Sequence, residues 1–583
     1  MDKRLLEIKK DCLQNKKKEE KKSNSLSYKR LLTFFIFFIT ICLYIYNHHN
    51  IILIISLLFF IIFIILVFCH NKVIKNIHKI DKYLEIITRY ENRLTDKWQN
   101  ETLNQEGEFD HPINDLDIIG DNSLLKYINF TNSIGGLKNL IKSLSLTNYN
   151  KKTILNNQSS ITELKDKQSF ILDFQYEIST IDNIKELNYS EILSYFNQKS
   201  QDNKIVLRIS LILSAITIII ATLSLIHILP VYFFLCLALI QLAFTYFFSK
   251  KYQDEFSIID KTARDLSNLN NLYQLIIQTT FTSENNQKLQ NNIQKGQRSL
   301  IELTKIASLN SYRLNFITYI IFNVFFSLNF IIIHKYHLLL KHKITALKTS
   351  IQSLEEFEKL ISLTTICFVK KQITLPIISD TLKIELKNIK HPLLKEDNCI
   401  ANDFSCNKDI NIITGSNMSG KTSFMKTIGI NLVLAYNGAY VNASTFNFPI
   451  TKLFTSINVK DDINKGISTF YGELKRIKDI LDYSEKNNTP MIIFIDEIFK
   501  GTNYNDRILG AKETLKQLSS LNCIVFLTTH DFELCSIKNK IIKNYHFSEQ
   551  YHQNRIIFDY KIKEGQCHTT NAKYLMRQMK IIK

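Results

Sequence analysis

Four stretches of this chain are apolar on every side. Leu31–Tyr46 and Ile51–Cys69 are nearly unbroken runs of Leu, Ile, Phe and Val, parted by Asn47-His48-His49-Asn50. Val206–Ile228 and Val231–Ser249 repeat the arrangement around Leu229-Pro230. A helix that crosses a bilayer needs about 20 apolar residues, and a helix buried in a soluble core is seldom apolar all round. The pattern therefore predicts two transmembrane hairpins, over 31–70 and 205–250. Basic residues flank both: a Lys-rich leader and Lys72, Lys75, Lys79 and Lys82 around the first, Lys204, Arg208 and Lys250-Lys251 around the second. Positive charge on both sides of a tight hairpin places its ends in the cytoplasm. Ser210, Ser214 and Thr217 recur at helical spacing, which suits helix packing in lipid. No acidic residue or lysine lies inside either hairpin, which argues against an ion relay.

Elsewhere the periodicity is helical. Residues 71–204 and 251–383 alternate apolar and charged positions at the helical period, as in Leu124-Leu125-Lys126-Tyr127-Ile128, and are poor in Pro and Gly. They read as two parts of one α-helical region interrupted by the second hairpin. Leu314–Ile333 is a further apolar run, but Asn315, Thr318, Asn323 and Ser327 fall near one stripe. That stripe favours a cytoplasmic core helix over a fifth span. Residues 1–30 are a basic cytoplasmic tail, expected to be disordered or loosely helical. From about Ile384 the texture changes. Short β-like runs at Ile410–Thr414, Met491–Ile495 and Cys523–Thr528 alternate with helical patterns at 421–436, 472–483 and 505–520. This is the signature of an α/β domain with a parallel sheet, over 384–583.

The chemistry concentrates in that domain. Gly415-Ser416-Asn417-Met418-Ser419-Gly420-Lys421-Thr422 fits the phosphate-loop pattern GxxxxGK[ST], between a predicted strand and a helix that continues from Ser423. Glycines let backbone N–H groups curl around a phosphate, and the helix N-terminus adds its positive end. Lys421 would reach the β- and γ-phosphates of ATP, and the Thr422 hydroxyl would hold Mg²⁺. Met491–Ile495 ends in Asp496-Glu497, one carboxylate placed for the metal and the next for polarising an attacking water. Cys523–Thr528 leads into Thr529-His530-Asp531, where His530 is placed to sense the γ-phosphate. Between the phosphate loop and Met491 lie Asp461-Asp462, Gly466-Ile467-Ser468-Thr469-Phe470 and Glu473, whose Gly/Ser/Thr cluster before a helix can offer hydroxyl and N–H donors to a phosphate, including one bound to a second subunit.

Charge and cysteines narrow the setting. The net charge is +19, but residues 1–30 hold eleven Lys/Arg against five Asp/Glu. Phosphate or anionic-lipid affinity and a solvated basic surface both account for the rest. Ten cysteines are scattered with no CxxC and no Cys/His cluster at metal spacing. That excludes a disulfide scaffold and a structural zinc site, and suits reduced thiols.

With these motifs in place, the chain resembles the MutS family of DNA mismatch-repair ATPases. TGSNMSGKTSFMKTIG is similar to that family's phosphate loop, including Asn417-Met418, and DDINKGISTFYGEL to its signature segment. FIDEIFKGTN resembles its Walker B stretch and TTHDFEL its switch histidine. His391-Pro392-Leu393-Leu394 with Asn402-Asp403 resembles the entry to the ATPase domain, and EGQCHTTNAKYLM its closing segment. A fainter likeness covers residues 115–144 and Ile154–Leu172, similar to the start of the family's helical core. The resemblance implies a P-loop ATPase of the ABC type. Gly415–Ser423 would cradle ATP, Thr422 and Asp496 would hold Mg²⁺, and Glu497 and His530 would be catalytic. Ser468 would donate to the partner's ATP in a homodimer formed through the ATPase domains. It also implies DNA as a partner of a helical clamp. Residues 1–114 read as a tail, a hairpin and a helix, so the family's mismatch-recognition and connector domains are expected to be missing.

The expected protein is multidomain: transmembrane hairpins, an all-α MutS-core-like region and a C-terminal α/β P-loop domain. It would be a multi-pass ATPase of the plasma or inner membrane with its catalytic domain cytoplasmic. The alternative is a membrane ATPase with an assembly or transport role that does not involve DNA. A transporter is disfavoured by the apolar interior of the predicted spans and by the lack of an LSGGQ-type signature.

Overall fold

A computed structural model describes residues 3–101, 111–147, 149–181, 204–267, 269–416, 418–457, 469–552 and 555–566. The chain divides into two compact units. One comprises Met1–Thr102 with Cys367–Lys371 and Lys395–Asp397, and the other comprises the remainder.

The first unit is built on two long helices, Lys3–Asn47 and Asn50–Leu94, each of 45 residues. At 1.5 Å per residue each is about 68 Å long. They run antiparallel from a turn at His48, whose φ is 52°. Near that turn the contacts are apolar, with Phe34 against Phe63 and Phe37 against Phe60 at ring separations of 5.6 and 5.2 Å. Away from the turn they become polar. Ser23 and Arg30 both reach His70, and ion pairs join Lys16 to Asp81 and Lys9 to Glu91, each at 2.7 Å. The leader is therefore not a loose tail. It is the same helix as the first apolar run, its solvated polar face matched against the charged half of the second helix.

The second unit holds the other apolar helices. Lys204–Leu225 and Val231–Ser249 form the second hairpin. The Leu314–Ile333 run does not form the single core helix expected from its polar stripe. It splits into Phe316–Phe326 and Leu328–His342, bent by 78° at Ser327, which sits in the left-handed region (φ 53°, ψ 40°). Both halves pack on the hairpin; of the stripe, Asn323 and Ser327 are buried at that contact, whereas Asn315 and Thr318 bond at the start of their own helix. Ser327 Oγ lies 2.6 and 2.7 Å from the hydroxyls of Ser210 and Ser214. Gln241 Nε2 donates to the Ser210, Ser214 and Ser327 hydroxyls at 3.1–3.2 Å. Asn323 Oδ1 accepts from the Asn329 N–H at 3.0 Å. Meanwhile Phe316 and Ile317 are 77% and 66% exposed. Four helices among the described residues are long and apolar enough to cross a membrane, or five if the bent pair counts as one span.

The rest of the helical region centres on two antiparallel partners, Glu284–Ser311 and Ile344–Leu363. They approach so closely at Gly296 that a Cβ there would lie 2.1 Å from Ser350 Oγ. Beside them Ile134–Leu144 begins over the buried Glu358, which accepts hydrogen bonds from the backbone N–H groups of Asn132 and Ser133 and from the Ser133 hydroxyl. Burial pushes the Glu358 carboxyl up to about 7 despite those bonds.

Ten strands follow among the described residues: β1 Ile377–Ser379, β2 Ile384–Ile389, β3 Asn402–Cys406, β4 Ile410–Thr414, β5 Thr445–Pro449, β6 Lys452–Ser456, β7 Met491–Asp496, β8 Cys523–Thr528, β9 Ile542–His552 and β10 Arg555–Glu564. The larger sheet has the order β10-β9-β4-β8-β7-β6 and is parallel except for the β9–β10 hairpin. Strands buried on both faces read as continuous apolar runs, and β4, β7 and β8 do so because helices cover both sides. On one side Thr469–Lys486 and Tyr504–Ser520 bury Ile477, Ile480, Leu515 and Leu518 against Ile412, Ile493 and Val525. On the other side Lys421–Tyr436 lies against an aromatic cluster of Phe404, Phe424, Phe526 and Phe547. A smaller mixed sheet, β1-β5-β2-β3, flanks it, and its short strands alternate buried and exposed residues.

A buried ion pair ties the helical region to the larger sheet. Asp115 accepts from Arg476 Nη1 at 2.6 Å and from the Ile457 N–H at 3.0 Å, with both side chains almost fully buried. Removing one partner strands the other charge. Asp115→Ala should lower stability by about 3–5 kcal/mol, read as a fall in the thermal midpoint, whereas Arg476→Ala combined with it should add little more.

Candidate active site

The site forms where β4, β8 and β7 end side by side. Parallel pairing aligns Ile413 with Thr528, and Thr528 with Asp496, so residues more than a hundred positions apart in sequence arrive together. After the fully buried β4 the backbone turns through Gly415 (φ 144°), Met418 (φ 69°) and Gly420 (φ 104°) into the Lys421–Tyr436 helix. A side chain at Gly415 would put its Cβ 2.8 Å from the Phe547 carbonyl oxygen. Only glycine fits there. Gly420 is the cap of the helix, and its open face looks onto the Tyr560 ring.

Lys421 is buried and folds back over the loop, donating to the carbonyls of Gly415 and Ser416 at 2.9 Å each, with its ammonium 3.5 Å from His530 Nε2. Thr422 Oγ1 lies 3.0 Å from both oxygens of Asp496. Glu497 takes an unusual backbone conformation (φ 53°), held by bonds from its N–H to the Thr528 carbonyl and hydroxyl, both 3.1 Å. Its carboxylate meets His530 Nε2 at 3.0 Å and Lys500 Nζ at 2.6 Å. The hydrogen bond with His530, reinforced by Lys500, holds the Glu497 carboxyl down at about 2 from an ordinary 4.5, against the upward pull of burial.

The predicted Lys421, Thr422, Asp496, Glu497 and His530 are thus one constellation. Gly415, Ser416, Met418, Ser419 and Gly420 line the loop above it. Ser423 lies in the first helical turn with its side chain exposed. Asn417, Ser468 and the segment 461–468, and the closing segment from Cys567, lie outside the described residues.

Four contributors escaped the sequence reading. Thr528 donates to Asp496 from the end of β8 while bracing Glu497. A threonine closing an apolar strand reads only as a strand former, so nothing marked it. Arg507 grips Asp531 through two bonds of 2.9 and 3.0 Å, anchoring the turn that carries His530. Lys500 pairs with Glu497 from the next loop. Glu549, on β9, accepts from the Ser416 hydroxyl, a contact set by a strand with no visible motif.

The residues fit a nucleotide triphosphate with a divalent cation. Ser419 Oγ is buried with no hydrogen-bond partner among the described residues, and the backbone at Gly415 admits no side chain. No cluster of three His, Cys, Asp or Glu among the described residues forms a protein-only metal cage. Mg²⁺ needs none, because it is commonly held by one or two protein oxygens together with phosphates and waters, and Thr422 with Asp496, 3.0 Å apart, would fit that pair.

Comparison with known proteins bears on the same region. Residues 411–578 match the family model of MutS domain V. Over 223 residues, 36% of this chain, the sequence is 31% identical to the DNA mismatch repair protein MutS of Clostridioides difficile (strain 630). It is 30% identical over 200 residues to that of Aquifex pyrophilus and 32% over 202 residues to that of Staphylococcus epidermidis, each match covering 33% of this chain. The chain spans 23% of the length of each of these curated relatives. The matched stretch coincides with the glycine-rich loop, the carboxylate pair and the histidine, and it supports the MutS family as the kin of the C-terminal third of this chain.

Proposed function

We propose that this protein is a membrane-anchored, MutS-like ATPase that binds and hydrolyses ATP with Mg²⁺ and works as a homodimer through its ATPase domains. The observation that carries the reading is the convergence of Lys421, Thr422, Asp496, Glu497 and His530 at the ends of three adjacent parallel strands. The loop N–H groups and Lys421 would bind the phosphates once Lys421 exchanges its carbonyl partners for phosphate oxygens. Bound Mg²⁺ would supply charge neutralisation at the phosphates. Thr422 and Asp496, already in contact, would hold it, with Thr528 fixing the carboxylate's orientation.

Glu497 would take the proton of the attacking water. While it is paired with both His530 and Lys500 it is a poor base, because those bonds stabilise its charged form. Exposed Lys500 is the partner more readily withdrawn, and its departure would raise the basicity of Glu497 and leave His530 as the orienting contact. Ser468 of a second subunit is proposed to complete the site.

Membrane anchoring is proposed from the all-round apolar exposure of the four candidate spans. In the second hairpin the buried Ser210, Ser214 and Gln241 are hydrogen-bonded to one another and to Ser327, which leaves those groups little for moving a solute and disfavours transport. The relatives are named for DNA mismatch repair, and DNA is proposed as a partner on that similarity. Retention of branched or mismatched duplexes by the solubilised protein, weakening steeply with salt, would separate this from an assembly role.

Three outcomes test the reading. Lys421→Ala should abolish ATP binding or turnover in a phosphate-release assay, and undiminished hydrolysis refutes the site. Glu497→Gln should retain ATP while slowing turnover by about 10²–10⁴-fold, separating base from binding residue. The full chain should resist alkaline carbonate extraction from membranes. Release into the soluble fraction would overturn the anchoring.

A further inference from the structure

Where the Leu328–His342 helix leaves the apolar bundle it lies against the last turns of Glu284–Ser311. Between the two helices runs a groove of about 480 Å³. Its floor is apolar: Ile306 and Leu339 are buried and Leu309 is half-buried. Its rim is basic, formed by Lys305, Lys335 and His342, all exposed. Among the described residues the one carboxylate lining it, Glu302, is already paired with Lys343. Neither Lys305 nor Lys335 has an ion-pair partner among the described residues, so the rim carries uncompensated positive charge.

The height of the groove in the fold follows from its neighbours. Tyr252, which directly follows the Lys250-Lys251 pair closing the second hairpin, packs its ring against His337 at 6.2 Å. Asn310 donates to the Phe256 carbonyl, and Arg313 lies 3.3 Å above the Phe256 ring. Lys335 and Leu309 therefore sit at the level where the apolar helices end, and the groove extends from there toward His342. An apolar floor under a cationic rim at that level matches one ligand chemistry: an anionic headgroup carried on hydrocarbon.

We propose that this groove binds an anionic glycerophospholipid, its phosphate between Lys305 and Lys335 and its apolar portion over Ile306, Leu309 and Leu339. A choline headgroup is disfavoured because its ammonium would face the same lysines. Duplex DNA would gain from the lysines but would leave the apolar floor unused. The proposal rests on the membrane anchoring proposed above.

The test uses the full chain solubilised from vesicles of equal phosphatidylglycerol and phosphatidylcholine, with retained lipid counted by native mass spectrometry. The unaltered protein should retain phosphatidylglycerol in clear excess. K305Q/K335Q, at two exposed positions, should unfold at the same temperature and lose that preference by about an order of magnitude. An equal preference in the variant, or none in the unaltered protein, overturns the proposal. So does displacement of the lipid by glycerol phosphate alone, which would assign the rim to a soluble phosphate, or by a short duplex whose binding needs the same lysines. Carbonate extraction keeps the two readings apart. A chain that stays in the membrane yet shows no lipid preference defeats the groove alone, whereas a chain released by carbonate defeats the anchoring beneath it.

Discussion

Parallel pairing of β4, β8 and β7 is the constraint from which the site follows. In a parallel sheet all strands finish at the same edge, so whatever follows each strand collects there. Thr422, Asp496 and Thr528 come from three separate stretches of sequence, yet their oxygens share one cluster because the register sets Thr528 beside both Ile413 and Asp496. The apolar faces of the sheet are what hold that register. A slip of one residue would carry Ile412, Ile493 and Val525 out of their packing against the two helices on that side. Core packing and chemical geometry are thus one requirement in this domain.

Within that domain much was legible before any coordinates. The limits of β4 and β8 and of the Lys421–Tyr436 helix agree with the apolar runs that announced them, since continuous burial leaves an unbroken hydrophobic signal. The phosphate loop was legible because its glycines answer a local steric demand. Less could be read where the demand is tertiary. Strands β1, β2, β3 and β5 are short and half-polar, and only pairing makes them strands. Arg507 and Lys500 look like ordinary surface cations, and their targets Asp531 and Glu497 lie in other segments. The leader was misjudged for a related reason. Its lysines discourage a folded reading, but a helix already begun at the apolar run extends cheaply once a charged partner lies alongside.

The bend at Ser327 shows composition misleading in another way. Of the stripe of Asn315, Thr318, Asn323 and Ser327, the last two mark a face packed on protein, and the protein is the second hairpin, while the first two bond at the start of their own helix. Under the proposed membrane anchoring, breaking a helix there frees backbone groups that hydrocarbon cannot satisfy. Asn323 and Asn329 close part of that gap locally, and Ser210, Ser214 and Gln241 contribute polar atoms from the hairpin.

That arrangement has a consequence for how the chain is made. Residues 204–249 emerge from the ribosome before residues 316–342, so the receiving hydroxyls and amide are in position when the kinked pair is delivered. Under the anchoring proposed above, the opposite order would leave the kink in lipid with only its local Asn323–Asn329 contact. The order of segments along the gene thereby doubles as an assembly schedule, and a circular permutation that reversed it would be expected to insert poorly even with every contact of the finished protein conserved.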